Sequence, residues 1–154
     1  MAVALTDFSG FCGFRPPQQI ASCLSTVPEF STVIGSSVSD IFQSQFSSSS
    51  ADEESKKSGL KDMFSALMKA DDQLVKEQVG RLVERLDEAE GIEKDEKELI
   101  RTLNRDFEGD VGIFCTFVLN IVRLKPGEAV FLKANEPHAY LDGGAFTSQA
   151  NLSA

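Results

Sequence analysis

The sequence predicts an α+β protein, on two observations. Apolar residues recur at helical spacing through residues 59–109, and short apolar or alternating runs that suit strands lie toward the two ends, at 1–8 and 129–141. At 154 residues and 16.8 kDa the chain fits one ordinary domain, or pieces of two.

In chain order, Val3 and Leu5 alternate and suit a short strand. A loop is expected at 9–15, where Gly10 and Gly13 interrupt the pattern. Pro16-Pro17 opens a helix, because proline's missing N–H costs nothing in a first turn. Ile20, Cys23, Leu24 and Val27 share one face of that helix, and Pro28 ends it or starts a new turn. Serine takes 11 of the 28 positions from 31 to 58. Val33-Ile34 and Ile41-Phe42 can nucleate short helices there. The run Ser47-Ser48-Ser49-Ser50 buries no apolar area to offset its ordering entropy, so a mobile loop is expected over about 44–58.

Three stripes follow. Leu60, Met63, Phe64, Leu67 and Met68 form the first, Val75, Val79, Leu82, Val83 and Leu86 the second, and Ile92, Leu99, Ile100, Leu103 and Phe107 the third. Gly91 is the stop between the second and third helices. Asp110 then suits an N-cap for Val111–Val122, which is apolar nearly all round; a buried helix is expected, with a buried strand as the alternative. Pro126-Gly127 signals a type II turn, Ala129–Leu132 a buried strand, and Asn135-Glu136-Pro137 another turn. His138-Ala139-Tyr140-Leu141 reads as a strand with His138 and Tyr140 on one face.

The charge narrows the function. Acids outnumber bases 24 to 15, a net charge of −9 that argues against nucleic acid and anionic membranes as partners. Residues 52–110 hold 18 acids and 11 bases, so most of that excess belongs to solvated helix faces. Cys12, Cys23 and Cys115 are odd in number and match no disulfide or zinc-ribbon spacing; reduced thiols are expected. The first residues carry no basic segment of a secretory leader, and the run Val111–Val122 falls well short of the ~20 residues of a membrane span. A cytoplasmic, soluble protein is expected.

Motifs for phosphate loops, dinucleotide folds and hydrolytic triads are missing from the sequence. The single histidine, His138, is the one strong zinc-ligand type, with Glu136 close by and Tyr140 beside it; zinc usually takes three or four protein ligands. By residue type alone, a hydrogen-bonded structural histidine is the more common outcome.

The segment Leu124-Lys125-Pro126-Gly127-Glu128-Ala129-Val130-Phe131-Leu132-Lys133-Ala134-Asn135-Glu136-Pro137-His138-Ala139-Tyr140-Leu141 resembles the cupin-barrel motif of type I mannose-6-phosphate isomerases. Gly109-Asp110-Val111-Gly112 and Leu119-Asn120 resemble the stretch before it. Met1-Ala2-Val3-Ala4-Leu5-Thr6 and Phe11-Cys12-Gly13-Phe14-Arg15-Pro16 resemble the strand and loop that lead into the family's helical domain. The likeness runs from Met1 to about Gly143, with the serine-rich part poorly matched.

The resemblance implies a barrel strand fragment at 1–8, a helical domain at 9–122, strands of a cupin-type (jelly-roll) β-barrel at 123–143, and a divergent tail at 144–154. It implies a zinc-dependent aldose–ketose isomerase that interconverts mannose 6-phosphate and fructose 6-phosphate and supplies GDP-mannose synthesis. Zinc would polarise the sugar oxygens while an acid/base group moves a proton between C1 and C2. Of the family's four zinc ligands, one matches here, His138; Tyr140 matches its pocket tyrosine, and no catalytic residue is assigned. The Q-x-H and K-P-E segments that carry the other ligands precede the matched region. The chain is therefore expected to be partial, inactive alone and monomeric, with a sugar phosphate as the whole family's substrate. The alternative is a noncatalytic helical interaction module or a nonfunctional splice product.

Overall fold

A computed structural model describes residues 2–47, 52–131, 133, 136–142 and 145–147. It is α+β, and its contacts divide the chain into two compact units. One is Pro16–Val118; the other joins Met1–Arg15 to Leu119–Ala154.

The unit Pro16–Val118 is helical. Its elements are α1 (Pro17–Thr26), α2 (Pro28–Ile34), α3 (Ser36–Ser47), α4 (Glu53–Met68), α5 (Asp72–Glu84), α6 (Lys94–Asp106) and a 3₁₀ helix (Val111–Phe117). Prolines open α1 and α2. Asp52 and Asp71 cap α4 and α5 by accepting from Ser55 N (2.7 Å) and Leu74 N (3.0 Å). Glu93 and Glu96 form a capping box on α6, which satisfies two N–H groups that would otherwise lack partners.

Most of the stripe residues read from the sequence face inward, but Met68 and Phe107, at 43% and 62% exposed, do not. Ile20, Leu24, Met63, Leu67, Val75, Val79, Leu82 and Ile100 are all buried. Phe30 of α2 stands against Phe114 and Phe117 of the 3₁₀ helix, with ring centroids 6.2 and 5.6 Å apart. Glu29, 7% exposed, meets Arg85 in a two-pronged ion pair at 2.6 and 2.7 Å that ties α2 to the end of α5. Burial pushes the Glu29 carboxyl up, but the Arg85 hydrogen bonds and charge outweigh it and hold it below its ordinary value of 4.5. Burial pushes the Cys115 thiol up to about 12, and the neighbouring Asp110 carboxylate adds to the effect.

The other unit holds two three-stranded antiparallel sheets. One has the order β4 (Ala129–Val130), β1 (Ala2–Ala4), β6 (Ala145–Thr147). The second has the order β3 (Leu119–Leu124), β2 (Phe8–Phe14), β5 (His138–Asp142). Between β3 and β4, Gly127 takes φ 88°, the left-handed residue that a type II turn requires after Pro126. Glu128 N donates to Lys125 O (3.0 Å) and closes the turn.

The structure corrects four expectations. In place of a buried strand from Ala129, β4 covers Ala129–Val130 and lies at the edge of its sheet, pairing among the described residues with β1 alone, so Ala129 is exposed and Phe131, outside the strand, is 71% exposed. In place of a loop at 9–15, residues 8–14 form β2, the central strand of its sheet; hydrogen bonds to β3 and β5 override the local glycine signal. In place of one helix at 111–122, the chain forms a 3₁₀ helix and then β3. Asp110 caps the 3₁₀ helix by accepting from Gly112 N; an apolar run fits either state, and β2 offers β3 a ladder. In place of a serine-rich loop at 44–58, the segment is largely helical: α3 reaches Ser47 and α4 begins at Glu53. The Phe42 and Phe46 rings pair at 4.5 Å, and Gln45 of α3 fills the space beside Gly59 of α4. Those contacts supply the burial that serines lack. Residues 48–51, the rest of that loop, lie outside the described residues, as do Leu132 of the expected strand, Gly143-Gly144 and 148–154 of the tail. Among the described residues no helix is long and apolar enough to cross a membrane.

Phe30 is fully buried, so Phe30→Ala should lower unfolding free energy by about 3–5 kcal/mol in a urea titration. Glu29→Gln should cost about 2–3 kcal/mol at neutral pH, the low side for a broken buried pair because Arg85 is 34% exposed and keeps some water. The Glu29 carboxyl is depressed in the folded state. Its stabilisation is therefore complete above about 4.5 and is lost as pH falls through the folded value, so wild type and variant should converge in acid.

Candidate functional site

Strand β2 builds the candidate site by holding β5 in register. Cys12 pairs with His138, Phe11 with Ala139 and Gly10 with Tyr140. Gly13 N donates to Pro137 O at 2.9 Å, so the next pair along, Cys12 and His138, is of the type without direct hydrogen bonds, in which side chains stand closest. Gly13 has φ 71°, a conformation that a side chain would strain, and a Cβ there would meet Glu136 Oε2 at 3.3 Å. Gly10 is a place of close approach as well, since a Cβ would come within 2.9 Å of Ala139 O and 3.1 Å of the Phe8 ring.

His138 is half-buried, and its Nδ1 lies 3.1 Å from the Glu136 carbonyl oxygen. A carbonyl only accepts, so this contact places the proton on Nδ1 and leaves the Nε2 lone pair available. Tyr140 lies two residues along the same strand face and is 53% exposed. Its ring meets Phe8 edge-on, with centroids 5.3 Å apart and planes at 72°. That contact fixes the ring while the residue stays open to solvent.

Two further neighbours complete the site: Glu136, which the sequence places beside His138, and Cys12, which it does not connect with the site. Burial pushes the Cys12 thiol up and the Glu136 carboxylate pushes it further, so Cys12 stays a thiol and offers no anionic sulfur. Glu136 itself sits over Gly13. The only sequence signal for this arrangement is the adjacency of Cys12 to Gly13 and of Glu136 to Pro137-His138; the pairing that joins them spans more than a hundred residues. At the end of β2, Asn120 Nδ2 donates to Phe14 O (2.9 Å) and Arg15 Nε to Leu119 O (3.1 Å).

No group of three or more histidine, cysteine, aspartate or glutamate side chains that could hold a metal occurs among the described residues. His138 offers an imidazole nitrogen of the type that zinc binds, but these residues do not by themselves make a zinc site.

Residues 33–119, more than half of the chain, match the family described as phosphomannose isomerase type I, helical insertion domain. Mannose-6-phosphate isomerase of Candida albicans is 43% identical over 152 residues, which cover 93% of this chain and 34% of that protein. The human mannose-6-phosphate isomerase is 42% identical over 147 residues, with the same two coverages. Among solved structures, mannose 6-phosphate isomerase of Salmonella typhimurium, bound to its substrate fructose 6-phosphate and zinc, superposes with a TM-score of 0.69 at 28% identity. That superposition covers 94% of this chain and 32% of the other. The chain thus spans about a third of the length of the relatives it matches. By the match across residues 33–119, the chain belongs to the type I phosphomannose isomerase family.

Proposed function

We propose that this chain contributes the helical insertion and one wall of the active site of a zinc-dependent mannose-6-phosphate isomerase. The observation that carries the reading is His138: its Nδ1 is committed to the Glu136 carbonyl, and its Nε2 is free to serve as one zinc ligand. Tyr140, on the same face of β5, lines the sugar-phosphate pocket. In this reading β1 to β6 are pieces of a cupin-type barrel, and residues 16–118 are the insertion between its strands. The reaction is the interconversion of mannose 6-phosphate and fructose 6-phosphate in the cytoplasm, by a monomer, in the supply of GDP-mannose. Support comes from relatives over 40% identical across 93% of the chain that carry the isomerase name, and from structural neighbours bound to zinc and to fructose 6-phosphate.

With His138 the one match to the family's four zinc ligands, and no group of three or more metal-ligand side chains among its described residues, the 154-residue protein should retain no stoichiometric zinc after dialysis. It should also show no isomerisation above a His138→Ala control. A chimaera tests the positive claim: residues 2–142 replace the matching segment of the Candida albicans relative. The chimaera should isomerise mannose 6-phosphate and hold zinc, and His138→Ala should lower its zinc affinity by roughly 100-fold or more. A folded chimaera that keeps zinc and activity without His138 contradicts the assignment. In the same chimaera Tyr140→Phe should raise KM by about 3- to 10-fold, the loss of one hydrogen bond of about 1 kcal/mol, with a smaller change in kcat.

A further inference from the structure

The two ladders of β2 differ beside His138. Toward β5 the pairing from Gly10 onward runs without a break: Gly10–Tyr140, Phe11–Ala139 and Cys12–His138 are followed by the bond from Gly13 N to Pro137 O. Toward β3 the pairing is interrupted. Phe11 pairs with Ile121 and Phe14 with Leu119, so Cys12 and Gly13 together oppose the single residue Asn120. Two residues against one is a β-bulge, which bends its strand and re-aims the side chains next to it.

The side chains around this bulge hold it in place. Gly13 keeps its left-handed φ of 71° there, and the Glu136 carboxylate lies over it where a Cβ would stand. Asn120 reaches across from the other strand. Although the residue is exposed, its Nδ2 donates to Phe14 O at 2.9 Å, and the same nitrogen lies 3.9 Å from the place of a Gly13 Cβ. A strand residue on a regular ladder turns its side chain away from the backbone of its neighbour. Here the carboxamide binds that backbone and so favours the bulged pairing over a residue-for-residue one. The competing pairing turns the Gly13 peptide and withdraws its N–H from Pro137.

We propose that Asn120 is a positioning residue for His138: by bonding across the bulge it keeps Gly13 N–H on Pro137 O, and so keeps the Glu136 carbonyl on the imidazole Nδ1. Asn120 acts through the backbone and touches no reacting atom. Its effect is on the tautomer, since with the proton on Nδ1 the Nε2 lone pair faces outward. The inference rests on the reading of His138 as a zinc ligand for its functional meaning, but the tautomer can be measured without metal.

The test uses the untagged 154-residue chain, whose single histidine gives one set of imidazole signals. Imidazole ¹⁵N shifts and their couplings to the ring carbon-bound protons are recorded at about pH 9, where imidazole is neutral. In the wild type the Nδ1–H tautomer should predominate. Asn120→Leu, of similar size but without a donor, and Asn120→Ala should each lower the Nδ1–H to Nε2–H ratio at least about fivefold, equivalent to one neutral hydrogen bond of about 1 kcal/mol. Val122→Ala weakens the same strand pair away from the bulge; it should lower the melting temperature and leave the ratio unchanged. In the chimaera described above, Asn120→Leu should weaken zinc binding by about tenfold. The proposal is overturned by a wild-type chain that is mostly the Nε2–H tautomer, by an unchanged ratio in a folded Asn120 variant, or by an equal fall in Val122→Ala. A chimaera that loses zinc with His138→Ala and keeps it with Asn120→Leu overturns the proposal and leaves the isomerase reading standing. A chimaera that keeps zinc without His138 overturns the isomerase reading, while the tautomer ratio still decides the role of Asn120.

Discussion

The pairing of β2 with β3 on one side and β5 on the other is the constraint on which the candidate site depends. Residues 8–14 take their hydrogen-bond partners from 119–124 and 138–142, so the intervening chain must return to where it left. Closing so long a loop costs only slowly growing entropy, but the cost must be met by contacts formed elsewhere. The helical unit meets it internally. Its packed stripes, the Phe30–Phe114–Phe117 cluster and the Glu29–Arg85 pair make residues 16–118 a unit with its own core. The Arg15 Nε to Leu119 O bond then joins the last residue before that unit to the first after it.

Once the register is fixed, the chemistry of His138 follows from the backbone. Gly13 can adopt φ 71° and donate to Pro137, the turn presents the Glu136 carbonyl to Nδ1, and the imidazole is left with one tautomer and one free nitrogen. Tyr140 is set by Phe8, whose ring occupies the space that glycine at position 10 leaves open. A one-residue slip between β2 and β5 would turn both side chains to the opposite face of the sheet. The site therefore depends less on its own two residues than on two glycines more than a hundred residues upstream.

The sequence was most legible where structure is local. The spacing of Ile20, Cys23, Leu24 and Val27, and of Met63, Leu67, Val75, Val79 and Leu82, is a helical face whatever surrounds it, and Asp110 caps its 3₁₀ helix for reasons contained in a few residues. The Pro126-Gly127 turn was legible for the same reason. Strand β2 was not, because Gly10 and Gly13 carry the local signature of a loop and only distant partners make them a strand. The run Val111–Val122 was ambiguous, since a segment apolar on all sides has no period to read; the change from 3₁₀ helix to strand near Val118 is set by where β2 lies. Nor could α3's extension to Ser47 be read from serines, because it rests on Phe42, Gln45 and Phe46. At the site, His138 and Tyr140 stood out by residue type and family likeness, whereas Cys12 and Glu136 became neighbours only through pairing across the sheet.

The register itself is directly measurable. In a pair without direct hydrogen bonds the two Cα atoms lie about 4.5 Å apart and their hydrogens face each other. A nuclear Overhauser spectrum of the labelled chain should therefore show a strong Hα–Hα cross-peak between Cys12 and His138, and another between Gly10 and Tyr140. Cross-peaks from His138 to Phe11 or Gly13 instead would mean a slipped strand, with His138 turned to the other face, and would contradict the account of the site.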